Sequence, residues 1–279
     1  MGNVGAKKSP SCARPDPPVL RVRPEGNRSR KRLWTSSDRW WPMASAADVP
    51  PESDVSPEQA EEVFGGALPR VRRYADLLAG EGVKRGLIGP REVPRLWGRH
   101  LVNCAVVEEL LPEGAEVVDV GSGAGLPGLV LGLMRPDIHM TLLEPLLRRT
   151  VFLKEAVEFL ELPNVEVIRG RAEEKHGEMY TDFITARAVA PLDRLARWSL
   201  PLLRKNGSML ALKGEQAEAE LADAEKELSK LRPSVSDVIK VGRGKVEPAT
   251  TVVRVMVTSD GGPPPGSQRC GKKKRGRKR

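Results

Sequence analysis

Apolar and polar residues alternate along the middle of the chain in the manner of strands that are each followed by a helix. Short runs rich in valine, isoleucine and leucine predict buried strands at about 116–120, 139–144, 165–168, 181–186 and 208–212. Segments with apolar residues at helical spacing separate these runs, which predicts a parallel sheet with helices on both faces. The last two strands, 235–241 and 251–257, are joined by a polar turn too short for a crossover helix, so we expect antiparallel neighbours.

The residues before the sheet have helical rather than strand patterning. Ser56 followed by Pro57 is a typical helix start, because serine caps free N–H groups and proline fits the first turn. A further helix is predicted from about Val93 to Leu111. We therefore expect two folded parts, a helical N-terminal cap at 56–112 and an α/β domain at 113–259.

Basic residues are concentrated at the two ends of the chain. The formal net charge is +9, from 46 lysines and arginines against 37 acids. Residues 1–42 and 260–279 each carry a net charge of +7, so the segment between them is net acidic, at −5. Nucleic-acid affinity that arises from bulk charge would therefore be a property of the ends.

The two ends also lack the patterning of folded elements. Residues 1–55 are predicted to be a disordered extension, with Met43 as the alternative start of translation. The competing interpretation is an RNA-binding arm, in which arginines accompany stacking tryptophans, Trp34, Trp40 and Trp41. Residues 260–279 are predicted to be a disordered basic tail.

Cysteine usage and hydropathy restrict the class of protein. The three cysteines lie far apart and no Cys-x-x-Cys occurs, so neither a disulfide framework nor a zinc site is predicted. The N-terminus lacks the apolar core of a signal peptide, and no segment reaches the roughly 18 apolar residues of a membrane helix. We expect a cytoplasmic monomer without a metal ion or a membrane contact.

A glycine-rich turn after the first strand carries the strongest chemical signal. The strand ends in Gly121, Gly123 and Gly125, and a helix is predicted from Leu126 to Met134. Glycines let the backbone turn sharply and lie against a ligand without a Cβ in the way. The same turn points the free N–H groups of the helix at that ligand. Spaced glycines alone are weak evidence, but the preceding strand and two nearby acids strengthen it.

The two acids indicate which ligand the turn binds. Ligands of doubly wound sheets bind beyond the carboxyl ends of the strands, where Glu144 could accept hydrogen bonds from two ribose hydroxyls. The alternative is that Glu144 caps the next helix. Asp119, two residues before the first glycine, would attract the ammonium of S-adenosylmethionine and repel a dinucleotide pyrophosphate. We therefore favour S-adenosylmethionine as the ligand. The Ala172 N–H and the Glu173 carboxylate could hold its adenine, and the alternative is that these two residues lie at a solvated surface.

The residues that could act on a substrate favour an acceptor atom that is already nucleophilic. The motif Asn-Pro-Pro-Tyr is absent, Cys104 is expected in the core, and neither His139 nor His176 is placed as a base. A ring nitrogen such as N7 of guanine needs no deprotonation before it attacks a sulfonium methyl group, so positioning would suffice. Arg187 and Lys213, at the ends of the fourth and fifth strands, could hold RNA phosphate or guanine O6. Surface ion pairs are the alternative for both.

Several further motifs follow one another in a fixed order. They are Arg99-His-Leu, Asp119-Val-Gly-Ser-Gly-Ala-Gly-Leu-Pro-Gly, Arg135-Pro, Thr141-Leu-Leu-Glu, Lys154, Arg171-Ala-Glu-Glu, Ala186-Arg-Ala and Leu212-Lys-Gly. With them, residues 56–258 resemble the ribosomal RNA small-subunit guanine-N7 methyltransferase family, also called glucose-inhibited division protein B. Asn103 and Cys104 depart from the aspartate and serine that are usual there.

The resemblance implies the fold and the reaction. The fold would be the Rossmann-like, seven-stranded sheet of class I S-adenosylmethionine-dependent methyltransferases, with a small helical cap. The reaction would be methylation of guanine N7 in 16S ribosomal RNA, either as naked RNA or in a small ribosomal subunit precursor. The residues implied to contact the cofactor are Gly121, Leu126, Glu144, Ala172, Glu173 and Arg187.

Three rival functions remain open from the sequence. Within the methyltransferases, the acceptor could be a small molecule or another RNA. A nicotinamide-dependent oxidoreductase uses a similar glycine-rich turn. A non-catalytic RNA-binding protein could rely on the basic ends alone.

Overall fold

The computed structural model describes residues 54–258. The predictions for the two ends of the chain therefore lie outside the described residues. The first helix, α1 (Pro57–Phe64), begins as predicted, because the Ser56 side chain accepts a hydrogen bond from the Gln59 N–H at 3.2 Å. A short 3₁₀ turn leads into α2 (Leu68–Leu77), which ends in a π-helical turn.

The second predicted helix of the cap is helical but irregular. It starts as a 3₁₀ helix at Pro90–Arg95, continues as a π-helix at Leu96–Val102 and passes through α3 (Asn103–Ala105). A 3₁₀ helix at Val106–Leu110 completes it. Pro94 lies inside the first of these segments and has no N–H to donate, so a regular α-helix cannot run through it.

The sheet has seven strands in the order β3-β2-β1-β4-β5-β7-β6. Their bounds are β1 (Glu116–Val120), β2 (His139–Glu144), β3 (Val165–Arg169), β4 (Thr181–Arg187), β5 (Leu203–Lys213), β6 (Val235–Val241) and β7 (Thr250–Met256). The pairs among β1 to β5 are parallel, whereas β7 is antiparallel to both β5 and β6. The predicted antiparallel pair is confirmed, and the structure adds that β7 inserts between β5 and β6.

Four helices connect the strands. They are α4 (Gly128–Met134), α5 (Leu147–Phe159), α6 (Leu192–Ser199) and α7 (Ala217–Leu231), and a 3₁₀ turn (Ala172–Lys175) follows β3. Apolar side chains pack on both faces of the sheet, as predicted. The cap, α4 and α5 share one hydrophobic cluster with one face, and α6 and α7 share a second cluster with the other. The predicted fold class is confirmed.

Two predicted boundaries are wrong. The helix after the glycines begins at Gly128 rather than Leu126. The fifth strand begins at Leu203, well before the predicted 208, and Asn206 and Gly207 form an irregularity within it. Asn206 has φ +65°, and a Cβ on Gly207 would lie 2.8 Å from the Asp182 carbonyl oxygen. The chain therefore bends inside the strand at residues whose types usually end a strand.

Among the described helices, none is long and apolar enough to span a membrane.

Candidate active site

The glycine-rich turn between β1 and α4 lies at the carboxyl edge of the sheet, and its three glycines have different environments. Gly121, Gly123 and Gly125 all have positive φ, at 72°, 58° and 98°. A Cβ on Gly121 would meet Val189 at 2.9 Å, and a Cβ on Gly125 would meet Leu129. A Cβ on Gly123 would meet no atom closer than 3.8 Å. Packing thus requires glycine at two positions, whereas a Cβ on Gly123 would make only ordinary van der Waals contacts.

Asp119 is buried under the turn and is hydrogen-bonded to it. It is fully buried, and its carboxylate accepts hydrogen bonds from the Thr185 hydroxyl at 3.0 Å and the Gly128 N–H at 3.2 Å. Burial raises the pKa of this carboxyl to about 6, against the opposing effect of these hydrogen bonds. The first N–H of α4, expected to face a ligand, is therefore taken by Asp119. The direct contact of Asp119 with a cofactor ammonium stays a prediction.

Glu144 ends β2, as predicted, and connects that strand to the turn. Its side chain is 1 % exposed. One carboxylate oxygen accepts the Gly123 N–H at 2.9 Å, and the other accepts the Leu146 N–H, also at 2.9 Å, just before α5. The helix-capping alternative is thus present in the structure together with the contact to the turn. Since each carboxylate oxygen can accept two hydrogen bonds, Glu144 keeps capacity for a ligand.

The other predicted cofactor contacts surround this edge. Leu126 is half-buried in the turn. Ala172 is buried at the start of the 3₁₀ turn after β3, and Glu173 beside it is exposed. The carboxylate of the neighbouring Glu174 accepts the Arg171 N–H at 3.0 Å.

Arg187 ends β4 and points its guanidinium at the cap. It donates to the Cys104 sulfur at 3.2 Å and to the His100 carbonyl at 3.4 Å, and it also contacts His100 Nδ1. Cys104 is buried in the core, as predicted, and burial raises the pKa of its thiol. The cysteine that replaces the usual serine therefore acts as an acceptor for Arg187.

Lys213 ends β5 and forms an ion pair with α7. Its ammonium lies 2.6 Å from a Glu220 carboxylate oxygen and donates to the Ala190 carbonyl at 3.0 Å. Its side chain is only 10 % exposed. The structure therefore realises the ion-pair alternative for Lys213, although the pair is more buried than a surface one.

Sequence reasoning missed three residues that support the site. Tyr74 is fully buried in α2 and donates its hydroxyl to the Ala124 carbonyl of the glycine turn at 2.8 Å. His100 contacts Arg187, and Glu92 contacts His100. None of them was assigned a role in the site from the sequence, although His100 belongs to the Arg99-His-Leu motif, because their partners lie 8 to 87 residues away in the chain. Asn103, the other departure from the usual motif, accepts the Thr250 hydroxyl at 2.7 Å.

Within residues 54–258, no three histidine, cysteine or acidic side chains are grouped so that they could hold a metal ion.

The model of one protein family, described as rRNA small subunit methyltransferase G, matches residues 67–247 of this chain. This chain belongs to that family. The predicted family and enzyme class are thereby confirmed, and S-adenosylmethionine is the cofactor of a methyltransferase with this fold.

Curated relatives cover most of the folded part. A ribosomal RNA small subunit methyltransferase G from Thermobifida fusca is 63% identical over 235 residues, which cover 82% of this chain and 99% of that protein. Relatives with the same name from Streptomyces avermitilis and Mycolicibacterium gilvum are 61% and 52% identical. They match 77% and 74% of this chain, and 89% and 90% of their own lengths.

Proposed function

We propose that this chain transfers the methyl group of S-adenosylmethionine to N7 of a guanine in 16S ribosomal RNA. The family description supports small-subunit ribosomal RNA as the substrate. The single observation that carries the proposal is the contact between Glu144 and the Gly123 N–H, because it places a buried carboxylate beside the least crowded glycine of the turn. Acid and uncrowded backbone together suit an adenosine-bearing ligand at the carboxyl edge of the sheet.

In this proposal Glu144 holds the ribose, and the turn lines the cofactor. The lone pairs of the Glu144 carboxylate that Gly123 and Leu146 leave available accept the ribose hydroxyls. Gly123 lets the backbone approach the ligand, and Leu126 gives it an apolar contact. Gly121 and Gly125 contribute the shape of the turn.

The cofactor's two ends lie on either side of that ribose. The Ala172 N–H and the Glu173 carboxylate bind the adenine, and Glu173 is exposed and so accessible to a ligand. Asp119 supports the methionine end, either through the loop that it holds or through its charge. When bound, S-adenosylmethionine supplies an electrophilic methyl group.

The contacts of the three histidines favour a methyl-acceptor atom that needs no general base. His100 is engaged by Arg187 and Glu92, and His176 contacts the Trp198 carbonyl at 2.8 Å. His139 begins β2, at the opposite edge of the sheet. No histidine in this chain is thus placed as a general base at the carboxyl edge. Guanine N7 has a free lone pair and loses no proton on methylation, so it suits a site that positions its substrate.

Arg187 is the cation that faces the substrate in this proposal. All its contacts within residues 54–258 are to uncharged acceptors, so its charge is available to an RNA phosphate or to guanine O6. Lys213 would reach RNA only by leaving Glu220. We further propose that the enzyme works as a cytoplasmic monomer on 16S ribosomal RNA or a small ribosomal subunit precursor, with 56–112 as its cap and 113–259 as its catalytic domain.

The decisive experiment is to disrupt the gene and map 7-methylguanosine in 16S ribosomal RNA. We expect one mark to disappear and to return when the wild-type gene is supplied. The purified full-length protein should restore the mark in subunits from the disrupted strain when S-adenosylmethionine is added, and not when NAD is added. An unchanged set of marks in the disrupted strain would refute the proposal.

A further inference from the structure

A chain of hydrogen bonds runs from the cap to the end of β4. A Glu92 carboxylate oxygen lies 2.8 Å from His100 Nε2, and His100 Nδ1 contacts the guanidinium of Arg187. Arg187 makes two further contacts, to the Cys104 sulfur and the His100 carbonyl. Since all these partners lie in the irregular helix at 90–110, that helix determines where the Arg187 guanidinium points.

The chemistry of these groups fixes the tautomer of His100. An arginine guanidinium has donors and no acceptor, so His100 Nδ1 must accept from Arg187. The imidazole proton therefore lies on Nε2, from which it is donated to Glu92. An ionised carboxylate can only accept, which matches that donor. The three residues thus agree on one arrangement, with a neutral His100.

Burial and charge act in the same direction. His100 is 9 % exposed, and burial together with the nearby Arg187 cation lowers the pKa of its imidazole, whereas Glu92 opposes this shift. Arg99, the other cation beside His100, also lowers the pKa. Neutral His100 is accordingly the form compatible with a guanidinium at Nδ1.

We propose that His100 and Glu92 are positioning residues that orient the Arg187 guanidinium toward the substrate at the carboxyl edge of the sheet. This inference rests on the proposed function, in which Arg187 contacts the substrate. His100 supplies the acceptor that directs Arg187, and Glu92 holds the imidazole in the tautomer that leaves Nδ1 free to accept. A purely structural role would instead make the trio a connection between cap and sheet.

Two substitutions of His100 separate these roles. In His100→Asn the amide oxygen can lie near the position of Nδ1 and still accept from Arg187. In His100→Gln the longer side chain places its amide near the position of Nε2, so Glu92 keeps a partner and Arg187 loses one. We expect His100→Gln to slow methylation by about 100-fold, as expected for a misplaced catalytic contact, and His100→Asn to restore most of the rate.

A double-mutant cycle ties the effect to Arg187. Arg187→Ala should lower either kcat or kcat/KM for methylation of subunits that lack the mark, and His100→Gln should lower the same parameter. In the double variant the two losses should not add, because His100 has nothing left to orient. His139→Gln, at the opposite edge of the sheet, is the matched control and should methylate at the wild-type rate.

A measurement independent of turnover completes the test. In the full-length protein, the ¹⁵N chemical shifts of the His100 ring should show a protonated Nε2 and an unprotonated Nδ1, and Glu92→Ala should disturb this tautomer. Thermal unfolding checks that each variant is folded, and Glu92→Ala, at a half-exposed position, substitutes for His100→Gln if the latter fails to fold.

The outcomes separate the two proposals. Slow methylation by Arg187→Ala with a full rate for folded His100→Gln and Glu92→Ala would overturn the positioning role and leave the proposed function intact. Additive losses in the double variant, or a proton on Nδ1, would also overturn it. A full rate for Arg187→Ala would remove the substrate-facing role of Arg187 and the positioning role with it. Absence of methylation by the wild-type protein would refute the proposed function itself, whatever the tautomer.

Discussion

The carboxyl ends of β1 and β2 differ from those of β4 and β5 in how their polar side chains are held. At β1 and β2, Asp119 and Glu144 are buried acids whose partners include backbone N–H groups of the adjoining loops. At β4 and β5, Arg187 and Lys213 are cations held by other elements, Arg187 by the cap and Lys213 by α7. The first pair binds backbone N–H groups of the adjoining loops, with Thr185 of β4 as a further partner of Asp119, whereas the second pair is held by the cap and α7.

This difference teaches how a binding site and a substrate-facing edge can be built on one sheet. The acids at β1 and β2 use their hydrogen bonds to fix a backbone shape that surrounds a ligand. The two cations both end their strands, but they differ in whether an acid neutralises them. Lys213 is neutralised by Glu220, whereas the contacts of Arg187 within residues 54–258 leave its charge uncompensated. Position at a strand end therefore does not by itself make a residue functional.

The largest expected effect comes from a charge placed in the least crowded part of the β1 loop. Gly123→Asp should weaken binding of S-adenosylmethionine by at least about 100-fold, or roughly 2.7 kcal/mol, measured by isothermal titration calorimetry. The new side chain would crowd the turn where the ligand is proposed to bind and add a second carboxylate next to Glu144. Thermal stability should fall modestly, because a side chain at φ +58° is strained even for aspartate, which tolerates the left-handed region better than most residues.

A matched control exists at Gly114. It has φ +69° and no atom within 4 Å of an added Cβ, but it lies before β1, at the opposite edge of the sheet. Gly114→Asp should bind the cofactor normally. Equal binding by Gly123→Asp and the wild-type protein would place the ligand elsewhere and break the distinction between the two edges.

A second effect, comparable in free energy but confined to a range of pH, concerns the buried acid under the loop. The pKa of Asp119 is raised by burial from 3.8 to about 6, so the folded state binds this proton more tightly than the unfolded state. Asp119 therefore makes the free energy of unfolding fall as pH rises from about 4 to 6, by up to about 3 kcal/mol. Urea unfolding at several pH values should show this fall in the wild-type protein and lack it in Asp119→Asn. Parallel pH curves for the two proteins would contradict the assignment.

The smallest effect tests the neutralised cation at β5. Lys213→Met should lower the free energy of unfolding by about 1 kcal/mol, because it leaves the partly exposed Glu220 without its ion-pair partner. The double variant Lys213→Met/Glu220→Met should regain much of that stability in chemical denaturation. Slower methylation by Lys213→Met without any loss of stability would instead mean that Lys213 acts on the RNA. The contrast with Arg187 would then be wrong.

The sequence by itself determined the order of the strands along the chain, the glycine turn and the two acids at the strand ends. These features are local, since a β-branched run, a glycine at positive φ and an acid at a strand end are each encoded within a few residues. Position at the carboxyl edge then followed from the parallel arrangement alone. For this reason the sequence predicts the glycine turn and Glu144 at the same edge of the sheet.

Only the tertiary structure decided what each of these side chains contacts. It placed β7 between β5 and β6 and set the hydrogen bond between Asp119 and the Gly128 N–H. It also set the contact of Arg187 with the cap and the ion pair of Lys213 with α7. Arg187 and His100 are separated by 87 residues, and no local pattern records which distant helix will pack against a strand end. Packing of one hydrophobic face against another makes that choice, and the direction of the functional side chains is its consequence.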